Sequence, residues 1–453
     1  MPMKYNKIAL VNPPLDEGVV KCIDDGFWQP LNLLTLASYI RANGYEGEIR
    51  ILDQAVANEK EISDELKAFE PDLVGISPNM DSYGQALRIA SEVKENGSDV
   101  VLGGAYATTL AENILSNRQF IDFVIAYEGE IAFLKLLQGD EPDSIPNLVY
   151  RCGGKVICNK VEFIEKASLC EVDYSLIDMT RYFKNYSGSI NPGKYKKPIT
   201  IITQRGCVWR EKTQGCIFCS RINQKAIFDN HDDIWRQIGK LKDKYDMDSV
   251  IDVGDDFLGN PEWFKIFYHS RPDELRDIGI RFIYSRVEHI NESTADMLRE
   301  LNVSEICLGL ESGDVEILTK VRKGNTPRQH LNAVKLLAER NIKIIAAFML
   351  GHPAESEVSI GRTKEHVLRV LEFKNTNELV VSLFTPLPGS LAYRMLLEKS
   401  KRISAHFKSS DLFHVREFQK EWVGHFCRTD FETILRGADE LGKLHRRAYI
   451  EFA

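Results

Sequence analysis

The chain contains no apolar run approaching the roughly 18 residues of a membrane span. Its opening "MPMKYNKIALV" reads as a short strand after a polar start, too short for the apolar core of a signal peptide. A basic face is lacking too: a net charge of −8 argues against a general nucleic-acid binder. The one basic run, "KYKKP" at 194–198, reads as a solvated linker. No internal repeat or low-complexity segment breaks the pattern. These absences lead to the expectation of a cytoplasmic protein with no membrane and no nucleic-acid partner. Its cysteines are then thiols or metal ligands rather than disulfides. What remains is ordinary for a well-cored protein: 43% hydrophobic and 27% charged residues over 453 positions. That length has room for two to four domains at about 150 residues each.

The first 140 residues alternate strand and helix. "KIALVNPP" is a β-branched run stopped by prolines, and "PLNLLTLASYIRANGY" spaces its apolar residues as a helix ending at Gly44. Strands follow at "GEIRILD", "DLVGIS", "DVVLGG" and "DFVIAYEG", with helices at about 60–69, 82–95, 107–116 and 130–138. This period means βαβ units and a parallel sheet whose ligand edge is the carboxyl one. "IPNLVYRCGGKVICNK" reads as a hairpin, and 166–198 shows no steady period. A second alternating block has strands at "ITIITQRG", "SVIDVGDD", "IRFIYSR", "SEICLGLESG", "IKIIAAFMLG" and "ELVVSLFTPLPG". Six βα units suggest a barrel open on one side. The expected α/β architecture is a doubly wound, Rossmann-like domain over 1–165 and a connector over 166–195. A partial (β/α)6 TIM-like barrel over 196–395 and a helical C-terminal extension over 396–453 complete it.

Three of the nine cysteines lie in "RGCVWREKTQGCIFCSR", after the first strand of the second block. Active-site residues of βα barrels belong in such loops. Cys216 and Cys219 form a close pair, and Cys207 stands eight residues before Cys216. Three loop thiolates fit an iron–sulfur cluster with one open iron, but they also fit zinc or no metal at all. The other six (Cys22, Cys152, Cys158, Cys170, Cys307, Cys427) are scattered and read as ordinary thiols.

"QRGC…CIFC", "GDDF", "LGLESG", "FMLGHPAES" and "TPLPGS", in that order over about 200 residues, closely resemble the radical S-adenosylmethionine (SAM) enzymes. The resemblance implies that Cys207, Cys216 and Cys219 bind a 4Fe–4S cluster whose open iron is chelated by SAM. Reductive cleavage of SAM then yields methionine and a 5′-deoxyadenosyl radical that abstracts hydrogen from an unactivated carbon. By the same resemblance Phe218 packs near the adenine, and Gly254, Asp255 and Asp256 meet the methionine amino group. Ser285 and Arg286 end the third strand, with Arg286 suited to the methionine carboxylate. Glu311 suits the ribose, and Met349, Leu350 and Gly351 flank the adenine. The eight-residue gap departs from the family's commonest spacing of three. Trp209, Arg210, Glu211 and Lys212 are read as a bulge beside the cluster.

The N-terminal block resembles the cobalamin-binding domain fused to many of these enzymes, through "NPP", "PLNLLTLASYIRANGY", "PDLVGIS", "VLGGAYAT" and "IAYEGE". The resemblance implies that Ser77 bonds the nucleotide tail while Gly103 and Gly104 let it pass close to the backbone. Asn12, Pro13, Tyr127, Glu128 and Gly129 edge the same pocket. No histidine occurs before His231, so cobalamin here would lack a histidine lower ligand. The implied activity is cobalamin-dependent methylation of an unactivated carbon of a small metabolite, served by an electron donor such as a flavodoxin or ferredoxin. Two other readings stay open: radical cyclisation, rearrangement or oxidation without methyl transfer, and a cobalamin- or redox-sensing binding protein.

Overall fold

The computed structural model describes residues 3–17, 28–166, 168–187, 194–223 and 225–451. Cys22 and parts of the expected connector lie outside them. The chain forms two compact units, Met1–Pro192 with Ala405–Phe413, and Gly193–Ser404 with His414–Ala453.

In the first unit the order is β1 (Lys7–Asn12), α1 (Leu31–Ala42), β2 (Glu48–Asp53), α2 (Glu59–Phe69), β3 (Leu73–Ile76), α3 (Tyr83–Glu95), β4 (Asp99–Leu102) and α4 (Gly104–Asn117). Then come β5 (Phe123–Ile125), α5 (Glu130–Gln138), the antiparallel hairpin β6 (Leu148–Cys152) and β7 (Lys155–Cys158), and α6 (Met179–Ser187). The strands line up as β2-β1-β3-β4-β5-β6-β7, and the first five are parallel. Side-chain alternation along each strand divides the core in two. Ile8 and Leu10 of β1 pack with Leu33 and Ala37 of α1 and Phe133 of α5. Ala9 and Val11 pack on the other face with Ile62, Ala86 and Ala107 from α2, α3 and α4. Both faces are covered, which is why these strands read as continuous apolar runs. The strand order reverses between β1 and β3, the place where an open α/β sheet leaves a crevice at its carboxyl edge. The aperiodic stretch after the hairpin includes α6, tied to the sheet by the buried Tyr182 hydroxyl donating to Asp53 (2.7 Å).

The second unit begins with β8 (Pro198–Ile201), β9 (Gln204–Arg205), α7 (Val208–Thr213), β10 (Ile227–Phe228), α8 (His231–Tyr245), β11 (Ser249–Asp252) and α9 (Pro261–His269). It continues with β12 (Gly279–Ser285), α10 (Glu292–Glu300), β13 (Glu305–Glu311), α11 (Val315–Lys320), α12 (Pro327–Glu339), β14 (Lys343–Leu350), α13 (Glu357–Leu371) and β15 (Thr376–Leu383). The tail supplies α14 (Leu391–Lys399), α15 (Lys401–Ser409), whose residues from Ala405 onward belong to the first unit, α16 (Val415–Phe426), α17 (Phe431–Gly442) and β16 (Ala448–Glu451). Side-chain caps set several helix starts; Asn230 accepts from the Asp232 and Asp233 amides at the head of α8. The parallel sheet runs β16-β15-β14-β13-β12-β11-β8, an open order in which β8 and β16 are the edges. The helical C-terminal extension expected over 396–453 is present as α14–α17 and also carries one strand. Residues 448–451 add a seventh strand, paired from Leu379↔Ala448 to Ser382↔Glu451, and so cover an edge of β15 that would otherwise stand open.

Candidate active site

All three cysteines sit on one excursion between β9 and β10, whose antiparallel pairing (Arg205↔Ile227, Gln204↔Phe228) closes it at the base. Gly206 opens the excursion at φ +82°, where a Cβ would overlap the Lys225 carbonyl, so no other residue fits without strain. Its amide donates to Asp255 (2.8 Å). The wide gap between Cys207 and Cys216 is filled by α7, with Cys207 as its N-cap. The bulge expected there is thus a turn and a half of helix. Cys219 follows in a tight turn, its amide donating to the Cys216 carbonyl (3.2 Å).

Cys216 is buried, and its surroundings carry the electrostatics of the site. Arg286 Nη1 lies 3.9 Å from Cys216 Sγ. The same guanidinium donates from Nε to Glu288 and from Nη2 to the Lys323 carbonyl, and its central carbon Cζ lies 4.8 Å from the centre of the Trp209 ring. Lys323, also buried, pairs with Glu311 (2.8 Å). Burial pushes the Cys216 thiol up, while the charges of Lys323 and Arg286 pull it down. Burial likewise raises Cys207, against hydrogen bonds from the backbone near Arg210. Burial alone would lower the Lys323 ammonium; Glu311 and the Cys216 sulfur outweigh that and hold it above the usual lysine range. Among the described residues no three His, Cys, Asp or Glu side chains converge on one point as a single metal ion would require. A 4Fe–4S cube asks for something different, one thiolate on each of three irons. A three-cysteine loop with two buried cations beside it fits such a group.

The strand ends complete the ring. Gly254, Asp255 and Asp256 follow β11, and the buried Gln204 amide bridges to them. Oriented to satisfy its neighbours, it accepts from the Asp255 and Asp256 amides and donates to the Gly206 carbonyl. Asp256 is fully buried between the Ser285 hydroxyl (3.2 Å) and His289 (3.2 Å). Glu311 has φ +61°, at a register shift of β13 against β14 that re-aims its side chain. Gly309 makes room for it: a Cβ there would come within 2.5 Å of Glu311 Oε1 and 2.8 Å of Lys323 Nζ. Met349 and Leu350 end β14, and Gly351 follows at φ +94° with its carbonyl accepting from Trp422 (2.9 Å). The Phe218 ring lies 6.3 Å from Phe384 and 6.4 Å from His352, which brings the cysteine loop to the ends of β14 and β15. Fully buried His352 is held near pKa 4 by that burial.

Behind Arg286 runs a buried polar chain that the sequence reading did not find. Asn325 donates to Glu288 (3.2 Å), His330 Nε2 meets Asn325 (3.0 Å), and His330 Nδ1 meets His366 Nε2 (3.1 Å). Burial lowers His330 to about 2 and His366 to about 4, so both rings are neutral at pH 7. Cys307 on β13 is pushed up to about 12 by burial, as an inert thiol would be. Away from the ring, His425 pairs with Glu421 (3.3 Å), and His406 donates to the Leu412 carbonyl (2.8 Å).

In the first unit the candidate residues gather at the carboxyl edge of the sheet. Asn12 ends β1 and donates to Asp53 (2.7 Å), and the buried Pro13 follows. The loop after them is fastened by Asp16, which accepts from the Gly84 (3.0 Å) and Gln85 (2.7 Å) amides at the start of α3. Ser77 follows β3, and its hydroxyl accepts from Asn32 (2.9 Å). Gly104 has φ +85°, and a Cβ on it would lie 2.8 Å from Ser77 Oγ. Gly103 differs: φ is −142° and its nearest neighbour to an added Cβ is 3.8 Å away. Tyr127, at φ +61°, donates its amide to Thr108 (2.9 Å) and sets its ring against Phe163. Glu128 is buried with its carbonyl accepting from Asn147 (3.0 Å), and Gly129 caps α5. This edge lies at the switch between β1 and β3, and the missing side chain of Gly104 leaves room beside Ser77 Oγ, an arrangement that fits the entry of a long nucleotide-like tail.

Residues 201–367 match the Radical SAM superfamily, and residues 21–137 match the B12 binding domain. An uncharacterized methyltransferase of Pyrococcus horikoshii is 27% identical over 99% of this chain and 93% of its own length. The anaerobic magnesium-protoporphyrin IX monomethyl ester cyclase of Rubrivivax gelatinosus is 26% identical over 87% of this chain and 70% of its own. Among solved structures, the radical S-adenosylmethionine methyltransferase TsrM from Kitasatospora setae, with cobalamin and a [4Fe-4S] cluster bound, shares the fold. Its TM-score is 0.70 at 16% identity, over 87% of this chain and 78% of that one.

Proposed function

We propose that this protein, a radical SAM protein joined to an N-terminal B12-binding domain, methylates an unactivated carbon of a small metabolite. The families imply a 4Fe–4S cluster with SAM, and cobalamin. When bound, the cluster supplies the electron that cleaves SAM, and cobalamin supplies a methyl carrier. The observation that supports the radical half is the closed β9–β10 excursion, which carries Cys207, Cys216 and Cys219 beside two buried cations. These cysteines would hold the cluster. Arg286 and Lys323 balance negative charge there, and Gln204 fixes the backbone of Gly254–Asp256 as a preformed edge for the methionine end. Phe218 offers its ring near the end of β14 for the adenine. In the first unit, Ser77 and Gly104 shape the crevice where the cobalamin tail would run.

A second reading keeps the radical chemistry without methyl transfer, and the likeness to a cyclase is what favours it. Anaerobic reconstitution with iron, sulfide and hydroxocobalamin separates the two, followed by metal analysis and incubation with SAM labelled on its methyl group. About four irons and one cobalt per chain, SAM cleavage and label retained on cobalamin support the methylase. SAM cleavage with no cobalt bound would favour the second reading. A full metal load without SAM cleavage would overturn both. The methylase also needs a low-potential electron donor, such as a flavodoxin or ferredoxin.

A further inference from the structure

The helix that fills the cysteine gap has a side chain with an unusually constrained seat. Trp209 Nε1 donates to the Arg322 carbonyl (2.9 Å), and its own carbonyl accepts from Thr213 (2.6 Å). Against the indole lies Gly324, at φ +79°, where a Cβ would come within 2.2 Å of the ring. Over the indole's face lies Arg286, whose three nitrogens are all engaged, one of them with Cys216 Sγ. On the Nε side Glu288 is held by Asn325, His330 and His366, a chain whose histidines carry no charge at neutral pH.

We infer that α7 is a clamp: Trp209 presses the Arg286 guanidinium onto the Cys216 sulfur, and this fixed cation raises the reduction potential of the cluster bound there. The inference rests on the proposed ligation by Cys207, Cys216 and Cys219. Its physical basis is short. A guanidinium stays charged at any working pH, and on an aromatic face in a desolvated site it is held more strongly than at a surface. The electron adds one negative charge to the cluster, and a cation on a ligand sulfur stabilises that charged state over the oxidised one. Hydrogen bonds to the sulfurs and burial are the protein's known levers on such potentials. The flat ring is needed because the guanidinium's edges are already occupied; only its face remains to be held.

The test uses the full-length reconstituted protein without SAM. Dithionite splits at its S–S bond into sulfur dioxide radical anions, each passing one electron to an oxidised cluster and ending as sulfite, and the reduced fraction is read by electron paramagnetic resonance at a series of poised potentials. Arg286→Gln should lower the reduced-to-oxidised ratio about tenfold at the parent midpoint, equivalent to 59 mV for one electron. Trp209→Leu should lower it about threefold, and Trp209→Tyr should restore it to within about twofold, because tyrosine keeps an aromatic face. Variants that hold four irons but titrate like the parent would overturn the clamp and leave the ligation intact. Full iron loading in a Cys207→Ala, Cys216→Ala, Cys219→Ala triple variant would overturn the ligation itself. A Trp209→Leu protein with native circular dichroism but little iron would also overturn the inference, since the indole would then serve assembly rather than potential.

Discussion

Replacement of Gly104 by alanine is the sharpest test of the cobalamin crevice, because its neighbour Gly103 provides a built-in control. Gly104 adopts φ +85°, and an alanine there pays about 1–2 kcal/mol for the left-handed backbone. The new Cβ would sit 2.8 Å from Ser77 Oγ and must push it aside. That displacement breaks the Asn32–Ser77 hydrogen bond, a further loss of about 0.5–1.5 kcal/mol. The strained crevice is therefore about 1.5–3.5 kcal/mol from its native form, and at 1.4 kcal/mol per decade cobalamin should bind about 10- to 300-fold more weakly. Gly103→Ala meets nothing closer than 3.8 Å at φ −142° and should bind within about threefold of the parent. Absorbance titration with hydroxocobalamin reads the affinity, and iron content should be unchanged in both variants. Equal affinity in the two, or a larger loss in Gly103→Ala, would refute the reasoning.

The triple cysteine variant should retain essentially no iron after anaerobic reconstitution and should not cleave SAM; a normal iron content would count against the assigned ligands. Asp411 is buried and accepts from Tyr83 (2.6 Å) and from Arg118 (2.8 Å and 3.2 Å), so Asp411→Ala strands a phenol and a cation. It should destabilise the first unit by about 3 kcal/mol in urea unfolding, and a loss below about 1 kcal/mol would mean the network is dispensable. The neutral pair His330 and His366 sets a pH dependence for the second unit. Their folded pKa values lie below the unfolded value near 6.5, so the unfolded state binds more protons and stability falls as pH drops from about 6.5 to 4. The pair's slope approaches about 2.7 kcal/mol per pH unit. A His330→Asn, His366→Gln variant should lose about two protons' worth of it, and an unchanged slope would show that the pair takes up protons in the folded state.

The strands were legible because parallel sheets covered on both faces write themselves as uninterrupted apolar runs with turn residues at one end. "KIALVN" and "IKIIAAFML" are such runs, and both form strands. The same pattern located the three cysteines after the first strand of the second block, since a loop's place in a βα repeat follows from local order alone. It failed at "AYIE", where four residues become a strand only because β15 offers an unpaired edge. It was silent on Lys323, which reads as one more charge in "VRKGN" until a shift of register in β13 turns Glu311 towards it. Nor does anything around Trp209 announce a seat on Gly324 and Arg286, or around Asp411 a partner 328 residues away. Periodicity and turn chemistry act within a few residues of chain, so sequence alone determined the elements, their order and the loop that holds the thiols. Which charge meets which depends on surfaces that come together only when distant segments pack, and burial then decides how strongly. The tertiary structure alone therefore decided the cations on Cys216, the clamp of α7 and the difference between two adjacent glycines.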